Sequence, residues 1–131
     1  MNRERGSASV WLIGLSVVLI LAIGGAVDGT RKAQAHSDAT AAAEEAARAA
    51  GQALRVRALA RGEAAVVDHE PAVAEAHRYL QAVGAVGEVA VNGSTITVEA
   101  TITRPTIFLG VLGIAEISAR GHGIADLISA G

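Results

Sequence analysis

The stretch SASVWLIGLSVVLILAIGGAV, Ser7 to Val27, runs 21 residues without a charge, with Arg3 and Arg5 before it and Asp28 directly after. As a helix rising ~1.5 Å per residue it is roughly 31 Å long, about the hydrocarbon thickness of a bilayer. A secretory signal has a shorter apolar region, typically about 7–15 residues, and ends in an A-x-A-like site. This run ends instead in Gly24-Gly25-Ala26-Val27-Asp28. A core helix of a soluble domain keeps a polar face, and this stretch has none. It therefore reads as a retained single-pass anchor. Arg3 and Arg5 on one side balance Arg31 and Lys32 on the other, so the count of positive charges that orients a span is tied. The α-amino group and the very short leader tip the N-terminus toward the cytoplasm. Residues 1–28 then form leader and transmembrane helix, and 29–131 an extracytoplasmic domain in the cell envelope.

What remains after the anchor, about a hundred residues, suffices for one small domain. Trp11, Tyr79 and Phe108 are the only Trp, Tyr or Phe residues of the whole chain, so a core built on large interlocking rings is excluded. The formal net charge is −2, and the basic, aromatic-studded footprint of a nucleic-acid binder is missing. Without cysteine there is neither a disulfide framework nor a thiolate zinc site.

RKAQAHSDATAAAEEAARAAGQALRVRALARG, from Arg31 to Gly62, is the most helix-prone part of the chain, free of proline and with Gly51 as its one interior glycine. Ala35, Ala39, Ala42, Ala46, Ala49, Ala53, Val56 and Ala60 recur in steps of four and three, the spacing of a packed helical seam. Asp38, Glu45, Arg48, Gln52 and Arg55 mark the opposite, polar stripe, and Glu44 to Arg48 is the favourable i,i+4 order. Alanine buries little area, so such a seam gains little at ~25 cal/mol/Å². It does let another backbone come close, as small residues do between helices. The seam packs on its own domain or also on a copy or partner. Only Gly29 interrupts helical character between anchor and seam, so the two read as one continuous rod.

Gly62 has the position of a helix C-cap, and Asp68 to Pro71 forms a turn into a second helix with Val73, Ala76, Leu80 and Val83 on one face, stopped at Gly84. The period then changes. Val89 and Val91 precede Asn92-Gly93, after which Ile96, Val98, Ala100 and Ile102 alternate with Thr95, Thr97, Glu99, Thr101 and Thr103. Asn-Gly between alternating β-formers predicts a type I′ hairpin. Pro105 ends that strand, TIFLGVLGI (Thr106–Ile114) forms a turn of helix or a loop, and AEISARGHGIADLI alternates again as a third strand, with Glu116, Ser118, Arg120 and His122 on one side. The expected fold class is α+β: an N-terminal transmembrane helix continuing into a long alanine-rich helix, a shorter helix, and a small antiparallel sheet.

No arrangement in the sequence supports catalysis. Glu75 and His77, two apart on a helix, point about 200° from each other and cannot share a metal. His69 and His77 lack the four-residue spacing of an H-E-x-x-H pair. Ser94 and Ser118 have no nucleophile-elbow context. The glycines of GVLGI and ARGHG are not followed by a phosphate-loop lysine. The expectation is no catalytic residue, no metal and no cofactor. Ile107, Phe108, Leu109, Val111, Leu112 and Ile114 are too apolar for an ordinary exposed loop and too few to span a bilayer. They either cover the Ile96/Val98/Ile102 face as a lid or form a docking patch in which Phe108 and Leu109 stay accessible.

Arg-Gly-Ser-x-Ser-Val-Trp-Leu at Arg5–Leu12, the apolar run, Val27-Asp28-Gly29 with Arg31, and the alanine-rich helix from His36 to Leu54 together resemble the TadE/TadG-like proteins of actinobacterial tight-adherence (Flp) pilus loci. Val-x-Val-x-Gly-x-Thr-x-Thr-Val at Val89–Val98, the proline and FLGVLGI are similar too. The resemblance implies a non-enzymatic, pilin-like, single-pass membrane protein, a minor pilin or assembly component of a type IVb-like pilus. Its partners would be membrane lipid and other pilus-assembly or pilin-like proteins through helix packing, with no nucleic acid. Type IV pilin-like precursors are cut after a glycine and carry glutamate at mature position five. Cleavage between Gly6 and Ser7 would put Trp11 there instead, which favours a permanently membrane-held assembly protein over a filament subunit. The alternative is a membrane-anchored envelope binding domain unrelated to pili.

Overall fold

The computed structural model describes residues 3–62 and 69–126. Its elements are helix α1 (Arg3–Arg61), helix α2 (Glu70–Ala82), strand β1 (Val86–Asn92), strand β2 (Thr95–Pro105), a 3-10 turn (Leu109–Leu112) and strand β3 (Glu116–Asp126). The fold is α+β, as the change of period predicts.

Helix α1 runs unbroken through Gly24, Gly25, Gly29 and Gly51. Glycine weakens a helix interior by about 1 kcal/mol, whereas proline would break it, and α1 holds no proline. The helix stops at Arg61, and Gly62 turns to a positive φ of 66°. The chain forms two compact units. One joins α1 as far as Ala33 to the segment Arg104–Ile117; the other contains Gln34–Thr103 and the chain from Ser118 onward.

In the second unit the strands pair in the order β1-β2-β3. The β1–β2 register sets Val89 against Val98, Val91 against Ile96 and Asn92 against Thr95. The two residues that turn the hairpin are therefore Gly93 and Ser94, one position later than the expected Asn92-Gly93. The reason is conformational: Gly93, at φ 60°, takes the first central position, where a side chain would be strained. On the open face of β2 and β3, Thr103 bonds Ser118 at 3.0 Å, Thr95 donates to Asp126 at 2.9 Å, and Arg120 lies 3.8 Å from Glu99.

The other sheet face is core. Ile96, Val98, Ala100 and Ile102 alternate inward along β2, with Ala119 on β3. They pack with Ala72, Ala76 and Leu80 of α2 and with the alanines of α1. Val73 is half-buried and Val83, the C-cap, is largely exposed, so the inner face of α2 is centred on Ala72 rather than Val73. The start of the turn before α2, at Asp68, lies outside the described residues, as do Leu127 and Ile128 after β3.

The cover over the sheet comes from these two helices. Thr106–Ile114 belongs to the first unit. On the polar side of α1, Arg48 pairs with Glu45 at 2.9 Å, not with Glu44. Both side chains are exposed, and such a pair contributes little.

Candidate membrane anchor and juxtamembrane clamp

From Val10 to Ile23 the large apolar side chains of α1 are exposed. This is the one helix among the described residues long and apolar enough to cross a membrane, and almost none of its apolar window is buried within the protein. A core helix would hide that surface, so the stretch fits a single-pass membrane anchor. Its one hydroxyl near mid-span, Ser16, donates to the Leu12 carbonyl at 2.8 Å, which satisfies a group that bare hydrocarbon would penalise.

Two positions break the exposed pattern, Gly24 and Asp28, one turn apart on the same face of α1. The Phe108 ring lies on Gly24: a Cβ there would come 2.5 Å from Phe108 Cγ and 2.7 Å from Cδ1. Asp28 is 2% exposed. Its Oδ1 accepts the Ile107 N–H at 3.0 Å, and its Oδ2 accepts the N–H groups of Phe108 at 3.0 Å and Leu109 at 2.7 Å. Three donors converge on one carboxylate, which compensates its burial. One turn further, Arg31 donates to the Pro105 carbonyl at 3.2 Å. Four backbone groups of the 105–109 segment are thus held by two side chains of α1. The arrangement fixes a loop and offers no free nucleophile or base.

Gly6 and Ser7 lie exposed within α1. Ala35, Ala39, Ala42 and Ala46 are buried, whereas Ala49 and Ala53 are half-buried and Val56 is exposed. The buried face also takes in Ala43, Ala47 and Ala50, which a strict four-three stripe passes over. An α-helix turns every 3.6 residues, so a face wide enough to cover a sheet includes flanking positions as well. Phe108 is 37% exposed despite its contact with Gly24, and Leu109 is half-buried. The outermost side chains of that segment are Val111 and Leu112, at 86% and 67%.

Glu75 pairs with Arg78 one turn along α2. Among the described residues no three His, Asp or Glu side chains gather as a ligand set would. An open cleft of about 400 Å³ in the second unit is lined by His36, Thr40, Glu99, Arg120, Gly121 and His122.

The pattern of the sequence gives Asp28 no role of its own, although Val27-Asp28-Gly29 and Arg31 are part of the resemblance. The available signal was an acid directly after an uncharged span, four residues from a glycine. Comparison with protein families finds that residues 6–53 match the Tad family, described as Flp pilus-assembly TadE/G-like. The match covers the apolar stretch, Asp28 and most of the alanine face, and stops before α2 and the sheet. Neither a curated protein nor a solved structure matches the chain.

Proposed function

We propose that the chain is a non-enzymatic, pilin-like membrane protein of a tight-adherence (Flp) pilus, held in the cell membrane as an assembly component or minor pilin. The observation that carries this reading is the Tad match over residues 6–53, which falls on one helix whose first part is lipid-compatible and whose later part is the alanine-faced core helix of an α+β unit. The N-terminus is cytoplasmic and the sheet-bearing part extracytoplasmic in this reading. Partners pack on α1 where its small-residue face is incompletely covered, at Ala49 and Ala53. Trp11 in place of a glutamate favours the assembly role over that of a filament subunit: a span without a buried acid needs no partner to neutralise one, and tryptophan suits the membrane interface.

Deleting the gene in its host and counting surface pili tests the proposal, with complementation by the full chain. Loss of pili, restored by the wild-type chain, supports it. Normal piliation refutes it and leaves the envelope-binding alternative. Mass spectrometry of the complementing protein reads its N-terminus in the same strain: an intact leader supports the assembly component, and a terminus at Ser7 supports the processed, pilin-type subunit.

A further inference from the structure

The Asp28 clamp fixes the depth of an apolar knuckle. Gly24 lies three residues before the end of the uncharged run, so the Phe108 ring on it sits ~4.5 Å inside that end along the helix. Asp28, one residue past the run, holds the three N–H groups from Ile107 to Leu109. Residues 106–115 carry no charge. Val111 and Leu112 are exposed, and Ile107 and Ile114 half exposed, on the segment that these contacts tie to the end of the anchor.

The backbone of this knuckle is also suited to a water-poor setting. Besides the three N–H groups on Asp28, Thr106 N–H reaches the Ala115 carbonyl at 3.0 Å, Val111 the Phe108 carbonyl at 3.1 Å, Gly113 the Gly110 carbonyl at 3.1 Å, and Ile114 the Leu109 carbonyl at 3.0 Å. The Thr106 hydroxyl donates to the Ile114 carbonyl at 2.5 Å. Lipid-exposed irregular backbone does not occur within the hydrocarbon region, so a segment of this kind belongs at the headgroup level, where these internal bonds lower the cost of partial dehydration. Interfacial elements typically bury their apolar face ~5–10 Å into the headgroup–acyl boundary, and the Phe108–Gly24 contact, ~4.5 Å inside the end of the run, lies near the shallow end of that range. We infer that residues 107–114 form a second membrane contact, a wedge that lies in the lipid interface next to the end of the span. The wedge would fix the rotation and tilt of α1 as it leaves the bilayer, because a span alone leaves both free.

The inference rests on the anchor reading and is independent of any role in pili. The natural chain has no cysteine, so single-cysteine variants of the full chain can be labelled with an environment-sensitive fluorophore. Val111→Cys and Leu112→Cys are the test sites, both on exposed side chains, with Leu21→Cys in the span and Gln52→Cys on the polar side of α1 as references. The chains are placed one per nanodisc of phosphatidylcholine and phosphatidylglycerol, with circular dichroism confirming equal helix content. Brominated lipid should quench Val111 and Leu112 labels at least twofold more than the Gln52 label, and aqueous iodide should do the reverse. Iodide quenching equal to that at Gln52 would overturn the inference. So would protection from both quenchers, the signature of a protein-covered patch. Absence of lipid quenching at Leu21 would overturn the span and the wedge together, and a piliation phenotype changes neither outcome.

Discussion

Replacing Gly123 by alanine adds one methyl group where the neighbouring backbone leaves no room for it. A Cβ at Gly123 would lie 2.5 Å from the Glu44 backbone nitrogen and closer still to the Ala43 carbonyl carbon and oxygen. Carbon in ordinary contact sits about 3.5–4.0 Å from a neighbouring heavy atom, so β3 and α1 would have to part by roughly 1 Å. The atoms in the way are backbone, and no rotamer change can move them. Gly121 stands in the same relation to Ala39 and Thr40 one pleat earlier. Overpacking a closed core typically costs about 1–3 kcal/mol, and the rigid neighbours put Gly123→Ala in the upper part of that range. For a domain near a hundred residues each kcal/mol shifts the melting temperature by about 4–8 °C, so the variant should melt roughly 10–20 °C lower. The double variant should fall short of twice that, because a single displacement of β3 relieves both sites.

The assay is thermal unfolding of the full chain in detergent, with amide exchange at Val98, Ala100 and Ala119 as the local probe. Gly29→Ala, where a Cβ meets nothing within 4 Å, is the control and should melt no lower than wild type. An unchanged melting temperature and unchanged exchange in Gly123→Ala would refute the claim that bare backbone contact holds the sheet on α1.

On the alanine face, Ala46→Leu, at a fully buried site, should lower stability by about 1–3 kcal/mol, measured by denaturant unfolding. If the proposed function holds, Ala49→Leu, at a half-buried site, should leave folding intact and weaken association with other pilus components, read by cross-linking in the host membrane. In the clamp, Asp28→Asn replaces one carboxylate oxygen by an amide that is itself a donor, so it must face either Ile107 N–H or those of Phe108 and Leu109. Amide exchange at residues 107–109 should accelerate while the chain stays in the membrane fraction; unchanged protection there would show that Asp28 does not hold the loop.

How much of this was legible in advance follows from the range of each interaction. Helices, hairpin and strand alternation rest on contacts between near neighbours, and the periodicity of Ile96, Val98, Ala100 and Ile102 states them outright. The hairpin slipped by one residue because Asn-Gly is the commoner central pair, whereas here Asn92 pairs with Thr95 and Gly93 opens the turn. The clamp was out of reach, since Asp28 and Leu109 are 81 positions apart and a lone acid after a span carries no period.

The glycine-to-helix contact of β3 on α1 lay between these extremes, because each half was visible and the match between them was not. Small residues stand four apart on α1, at Ala35, Ala39 and Ala43, and two apart on β3, at Ala119, Gly121 and Gly123. Four helical residues advance ~6.0 Å and two strand residues ~6.6 Å, so Gly121 meets Ala39 and Gly123 meets Ala43 with a slip of only ~0.6 Å per step. Alanine on one side therefore needs glycine on the other. A helix with so little side-chain volume can hold a sheet because near-equal repeats keep two bare backbones in register over successive contacts. Larger side chains on either element would separate them, and the few large apolar residues elsewhere, Leu80, Ile96 and Val98, could not fill the gap.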